Sequence, residues 1–355
     1  MSWFVDALPL PDGDQPADLW IDDAGRLAAD PLTGAERLPG RYVLPGLVDA
    51  HAHPTAGWTP AGPAALAPAQ ALATLRAWAE SGVCVVRDTG SPGGMALDLT
   101  PDPGLPRLQA AGRFLAPAGQ YFPALLTEGV PQERLTDLAL AELARGARWV
   151  KLIADFPAVT DGKPSGRPTP TYSADAVAAM IAAVHAAGGR VAAHVTTSLV
   201  GELVQAGVDS VEHGTALGEA DLRRMAETGA AWTPTLTAVL ALPAGAPESA
   251  QRRVADYRQR LPDLLAHAHR LGVPVLTGTD TVGTVAGEIA LLAQYGLEPA
   301  AAMAAATTTG YRFLGEPFGQ PGQLATIVTY ESDPRDDLSV LSSPSAVLID
   351  GVRVR

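Results

Sequence analysis

Between residues 45 and 319 the chain alternates short apolar runs with stretches whose apolar residues recur at helical spacing. Eight runs read as strands: 47–53, 83–88, 107–112, 149–154, 190–195, 210–213, 230–235 and 273–280. Helical patterns fill most of the gaps. Residues 69–81 place Leu72, Leu75, Trp78 and Ala79 on one face, and residues 131–145 repeat Leu135, Leu138 and Leu143. Ser173 reads as an N-cap for a helix over 174–187, with Asp175 favourable in its first turn. Residues 220–229 and 250–272 continue the alternation. Eight strand–helix units predict an α/β fold, a (β/α)8 TIM barrel over 45–319. A doubly wound open sheet is the alternative, weakened because no G-x-G-x-x-G follows the first strand. Outside this region the texture changes. Residues 1–44 and 320–355 hold short apolar runs broken by Asp, Gly and Pro, and both ends are expected to pair into one small β domain.

Composition narrows the class. In 355 residues, hydrophobic side chains make up 47% despite 36 glycines and 31 prolines, which suits a loop-rich globular enzyme better than disorder. The net charge of −13, with no basic stretch, excludes nucleic acid and anionic membranes as expected partners. The single cysteine, Cys84, permits no internal disulfide and sits in the apolar run Gly82–Val86, so a buried thiol is expected. Met1–Gln15 is acidic and resembles no signal peptide, and no run of roughly 18 apolar residues suggests a membrane span. The expectation is a soluble cytoplasmic protein with a small-molecule substrate; a homo-oligomer is expected only on the general frequency of dimers.

The candidate chemistry lies at the strand ends. The run Pro45-Gly46-Leu47-Val48-Asp49-Ala50-His51-Ala52-His53 closes on two histidines one residue apart. On a strand, i and i+2 share a face, so His51 and His53 project together, with Asp49 one step deeper. Two neutral imidazoles on one face begin a divalent metal site. His194, His213 and Asp280 end three further strands, and Lys151 lies inside the 149–154 run. Active groups of a barrel gather at the C-terminal ends of its strands, which makes these six one candidate metal centre. Lys151 discriminates most, because the chain has only two lysines, Lys151 and Lys163. A buried ammonium is costly. Either it pairs with an interior acid such as Asp49 or Asp280, or burial frees the amine to take up CO₂ and bridge two metals as a carbamate. His267 and His269 repeat the H-x-H spacing in a helical stretch, where i and i+2 diverge; both are expected to be exposed non-ligands, and His185 an ordinary helix residue.

These motifs resemble the amidohydrolase superfamily: Leu44–His53, Gly82–Asp88, Val150-Lys151-Leu152, Val191–His194, Ser210–Thr215 and Leu276–Asp280 carry the resemblance over nearly the whole chain. They are most similar to the branch of imidazolonepropionase-like proteins and Xaa-Pro dipeptidase-like enzymes, and Lys151 favours the dipeptidase-like members. The resemblance implies a barrel with a β-sandwich built from both termini. It implies two divalent ions, zinc before manganese or iron, with His51, His53 and Asp280 on the first, His194 and His213 on the second, and carboxylated Lys151 between them. The stretches 116–121 and 154–157, and Thr196 after the fifth strand, depart from the family pattern in regions that face substrate there.

The expected activity is hydrolysis of an amide C–N bond in a dipeptide or N-acyl amino acid, by a metal-bridging hydroxide with Asp280 as general acid and base. A lactonase, ester hydrolase or deaminase on the same scaffold is the alternative, and a metal-free binding or scaffold protein the reading from another class. Asp49 and Asp88 are candidates to orient ligands or to satisfy backbone groups. Arg87, Arg113, Gln120, Tyr121 and Thr281 lie near strand ends and are candidates for substrate contact; residues 160–170, with Lys163 and Arg167, form a candidate lid or a solvated loop.

Overall fold

A computed structural model of the chain describes residues 1–59, 62–242 and 245–355. The elements follow the apolar pattern. Parallel strands occupy Leu47–Ala52, Val83–Asp88, Arg107–Ala110, Trp149–Ile153, Arg190–Val195, Ser210–His213 and Ala231–Thr233. The first three pair in one sheet; the last four, joined by a short strand at Phe114–Leu115, pair in another. Nearly every strand residue is buried, as expected for parallel strands covered on both faces. Helices stack around them, including Pro68–Glu80, Leu135–Ala144, Ala174–Ala186, Glu219–Thr228 and Glu248–Leu271. The Ser173 hydroxyl accepts from the Ala176 N–H, the cap its sequence position predicts.

Two strand expectations need correction. Residues 107–112 do not form one strand. Gly112 adopts φ of 74°, and a Cβ there would lie 2.3 Å from Glu142 Oε2, so the chain breaks and re-enters at Phe114–Leu115 beside Lys151. Residues 273–280 are not a regular strand either. Pro274 has no N–H, and the Thr279 N–H is taken by the Asp49 carboxylate. The segment is instead tied at intervals. On one side the Leu276 N–H donates to Trp232 O, and on the other Ala50 N–H donates to Thr277 O and Asp280 N–H to His51 O. It thus bridges the seventh parallel strand to the first.

Strands from both chain ends lie in one eight-stranded sheet, ordered Val352–Arg353, Ala346–Ile349, Ile327–Tyr330, Tyr42–Pro45, Trp3–Pro9, Ala17–Ile21, Leu27–Ala28, with Glu36–Arg37 beside Trp3–Pro9. This sheet has its own apolar cluster, including Val5, Ile21, Leu38, Val43, Ile327 and Leu348. Gly46 forms the step from it into the first parallel strand; a Cβ there would meet Cys84 Sγ at 2.3 Å. Cys84 itself is fully buried, and burial pushes its thiol pKa up. Among the described residues no helix is long and apolar enough to cross a membrane.

Candidate metal centre

His51, His53, Lys151, His194, His213 and Asp280 line one small cavity at the C-terminal ends of the parallel strands. The period-two expectation for the first strand holds. Asp49 accepts from the His51 N–H (3.3 Å), the Thr279 N–H (3.1 Å) and the Thr279 hydroxyl (2.6 Å), so it fixes the backbone under the histidines to the backbone leading to Asp280. His51, His53 and Asp280 offer ligand atoms that all lie within 4.8 Å of one another.

Each imidazole is held at one nitrogen. His51 Nδ1 lies 2.6 Å from Glu212 Oε2, His53 Nδ1 lies 2.8 Å from Gly90 O, and His213 Nδ1 lies 2.6 Å from Thr235 Oγ1. That leaves Nε2 of all three as the ligand atom. His213 Nε2 is 2.9 Å from His194 Nδ1. Two nitrogens each bound at ordinary zinc distances would sit about 3.3 Å apart, so these two are close to sharing one ion. Desolvation by burial, then the nearby Lys151 charge, lowers the pKa of His51 far below normal and that of His53 to about 3. Burial and His194 do the same to His213, and burial takes His194 to about 4. Neutral imidazoles can donate a lone pair to a metal, which imidazolium cations cannot.

The Lys151 amine is buried without a hydrogen-bond partner among the described residues. No ion pair joins it to Asp49 or Asp280, and burial lowers its pKa from 10.5 to about 8. A primary amine so placed is expensive unless a ligand or a modification uses it. His51, His53 and Asp280 thus form a donor set that fits a divalent ion, and His194, His213 and the Lys151 amine line the same cavity. Asp280, whose side chain is 23% exposed, lies 3.5 Å from His53 Nε2, and burial raises its pKa to about 6.

Three positions at this rim adopt left-handed backbone: His213 (φ 67°), Thr235 (φ 47°) and Asp280 (φ 58°). Such strain costs about 1–3 kcal/mol per residue and clusters at functional sites. At His213 its effect is visible. Ser210 and Glu212 share the inward face, and alternation alone would turn His213 outward. The left-handed turn brings its ring to 4.5 Å from His194 and 5.1 Å from His51.

The substrate-contact candidates divide. Tyr121 and Thr281 line the cavity. Arg87 does not. It is fully buried beneath the ligands, where it pairs with Glu212 Oε1 (2.8 Å), donates to Ser210 Oγ and Ala50 O, and stacks on Trp149. Arg113 pairs with the buried Glu142 (2.6 Å), and Gln120 donates to Thr169. Asp88 accepts from the Gly90 N–H, under the carbonyl that holds His53, and burial raises its pKa to about 8. His269 is exposed as expected, but His267 is half-buried and contacts Arg270 at 3.2 Å; neither approaches the centre. His185 pairs with Asp209 at 2.8 Å. Residues 160–170 belong to a hairpin of strands Asp155–Thr160 and Lys163–Pro170.

Three contributors carried no signal that singled them out. Glu212 lies within Ser210–Thr215, where neither its residue type nor its spacing marks it apart from the neighbouring His213. Asp155 accepts from the Thr196 and Thr197 N–H groups and hydroxyls, fixing the loop after His194. Trp58, on a hairpin of strands Ala56–Thr59 and Gly62–Ala65, donates to the Thr281 hydroxyl at 2.5 Å and covers the cavity.

Sequence comparison agrees with this geometry: the profile of the Amidohydrolase family matches residues 42–354. The chain belongs to the amidohydrolase family. An uncharacterized protein of Mycobacterium tuberculosis is 34% identical over 362 residues, covering 98% of this chain and 94% of that one. Among solved structures, a prolidase complexed with N-methylphosphonate-L-proline superposes with a TM-score of 0.81 at 24% identity over 100% of both chains. A Xaa-Pro dipeptidase with bound methionine in the active site gives 0.81 at 23% identity over 99% of both. At these identities the structural likeness is one of fold, and the amidohydrolase has prolidase- and dipeptidase-like neighbours.

Proposed function

We propose that this amidohydrolase cleaves the amide C–N bond of a small substrate such as a dipeptide or N-acyl amino acid. The observation that carries the proposal is the set of four neutral histidines and Asp280 around a buried lysine amine with no hydrogen-bond partner among the described residues. In this proposal the parallel strands close as a (β/α)8 barrel over 45–319, with 1–44 and 320–355 as a small β-sandwich beside it.

His51, His53 and Asp280 would hold one divalent ion, and His194 and His213 a second, most favourably zinc. Lys151 would serve both as a carbamate: its neutral Nζ adds to the carbon of CO₂, one C=O π pair moves onto oxygen, and an N–H proton leaves to solvent. When bound, the ions acidify a water and polarise the scissile carbonyl. The residues do the rest. Asp280 accepts the proton of the attacking water and returns it to the leaving nitrogen as the C–N bond breaks. Glu212, Gly90 and Thr235 keep three imidazoles in the tautomer that presents Nε2. Tyr121 and Trp58 narrow the cavity and limit the entry of other water.

A panel of dipeptides, N-acyl amino acids, esters and lactones, assayed with Zn²⁺ or Mn²⁺ and bicarbonate, tests the proposal. Turnover of the amides above the lactones and esters supports it. Turnover confined to lactones or esters moves the activity to the alternative class.

A further inference from the structure

The cavity at the metal centre has a volume of about 70 Å³. A water takes roughly 30 Å³, and sites for small molecules run to about 300–1,000 Å³. The centre therefore has room for its ions and a water but not for the body of a substrate. A second cleft, of about 800 Å³, opens at the same strand ends and shares His194 and Phe156 with the first. Thr196, Thr197 and Thr215 line it from the loops after the fifth and sixth strands, Arg167 from the Lys163–Pro170 strand, and Arg252 and Arg253 from the Glu248–Leu271 helix.

Two features of this cleft belong together. Its floor is apolar: Phe156, Val239, Val254 and Tyr257 contribute to it. Its charged groups are three arginines, Arg167, Arg252 and Arg253, against one aspartate, Asp256. Arg252 is engaged by Glu248 on its own helix at 2.6 Å. Arg167 and Arg253 make no ion pair or side-chain hydrogen bond among the described residues. They come from different elements, the Lys163–Pro170 strand and the Glu248–Leu271 helix, in a chain whose net charge is −13. Most arginines of this protein answer a nearby acid, as Arg87, Arg107, Arg113 and Arg145 do. Two unanswered guanidiniums over an apolar floor, next to a metal-ligand histidine, suit a ligand that brings its own negative charge and an apolar body.

We propose that this cleft binds the part of the substrate that bears a free carboxylate, with Arg167 and Arg253 as its counter-ions and the Phe156–Val239–Val254–Tyr257 floor against a large apolar side chain. The substrate class is then a peptide or N-acyl amino acid with a free carboxylate and a bulky apolar residue. The proposal rests on the hydrolytic reading for the position of the scissile bond, but not for the binding itself.

The test is calorimetric titration of the metal-loaded protein with 4-phenylbutyrate and with 4-phenylbutan-1-ol. These share an apolar body, differ in charge, and contain no bond to hydrolyse. The carboxylate is expected to bind about tenfold more tightly than the alcohol, with the advantage shrinking as salt rises. In the double variant Arg167→Gln/Arg253→Gln the advantage is lost while alcohol binding is unchanged. Both side chains are exposed, so the melting temperature of that variant stays at the wild-type value. Equal binding of the two ligands, binding of neither, or an advantage that survives the double substitution would overturn the proposal; the last would place the carboxylate on the metals instead. Hydrolysis separates the two readings. Equal cleavage of N-acyl amino acids and their methyl esters keeps the hydrolase and removes the carboxylate cleft. Arginine-dependent carboxylate binding without amide cleavage keeps the cleft and removes the amide hydrolase.

Discussion

His51 Nδ1 and Glu212 Oε2 lie 2.6 Å apart with both side chains buried, and the same carboxylate pairs with the buried Arg87 through Oε1. Glu212 thus does two jobs: it fixes the tautomer of His51 and neutralises the arginine below it. Glu212→Gln keeps an acceptor and should lower metal affinity about 10–100-fold with a modest stability loss. Glu212→Ala strands the Arg87 charge and should cost about 3–5 kcal/mol of stability as well. Metal titration and thermal melting of both variants check this; wild-type metal affinity in Glu212→Gln would break the link between the two residues.

Lys151 gives a pH-dependent prediction for the metal-free protein. Its folded pKa, about 8, lies below its ordinary 10.5, so the unfolded chain holds the proton more tightly between those values. Burial of the lysine therefore costs stability in full below about pH 8, and the cost fades as pH rises towards 10.5. Lys151→Met should make the metal-free protein more stable than wild type at pH 7 by about 3 kcal/mol at most. That gain should vanish by about pH 10.5. Denaturant melts at several pH values measure it; a variant less stable at pH 7 would point to a partner for the amine.

Gly278 sits where the segment leading to Asp280 crosses the first strand. A Cβ there would lie 2.6 Å from His51 Cβ and 2.6 Å from Thr233 Cγ2. Gly278→Ala should cost about 1–3 kcal/mol and displace His51, weakening metal binding although no ligand is removed. Unchanged metal affinity would show that the two backbones separate more easily than their packing suggests.

His267 and His269 provide the control. They repeat the H-x-H spacing but lie on the Glu248–Leu271 helix away from the centre. The double substitution His267→Ala/His269→Ala should leave metal content unchanged; a loss of one ion per chain would place a site there.

The contrast between the two H-x-H pairs shows what the sequence carried. Periodicity places His51, His53, Lys151 and His194 at strand ends that line one cavity, because a strand's alternation fixes which side chains meet. Chain reversals and left-handed residues fall outside that rule. Glu212 and His213 are adjacent yet both face the centre because His213 adopts φ of 67°. Arg87 looked like a substrate contact because it lies near a strand end. Its parity instead directs it under the ligands, where Glu212, distant in sequence, neutralises it. The eighth element was legible as apolar residues ending in Asp280, but its irregular pairing depends on Pro274 and on the Asp49 side chain. Trp58 and Asp155 act from loops, where no period announces a role.

Metal content measured by mass spectrometry on protein purified without chelator tests the central claim most directly. The six-ligand centre predicts about two divalent ions per chain in the wild type and one or none in Lys151→Ala. A correctly folded wild-type protein that retains no stoichiometric metal, even after incubation with Zn²⁺ and bicarbonate, would contradict it.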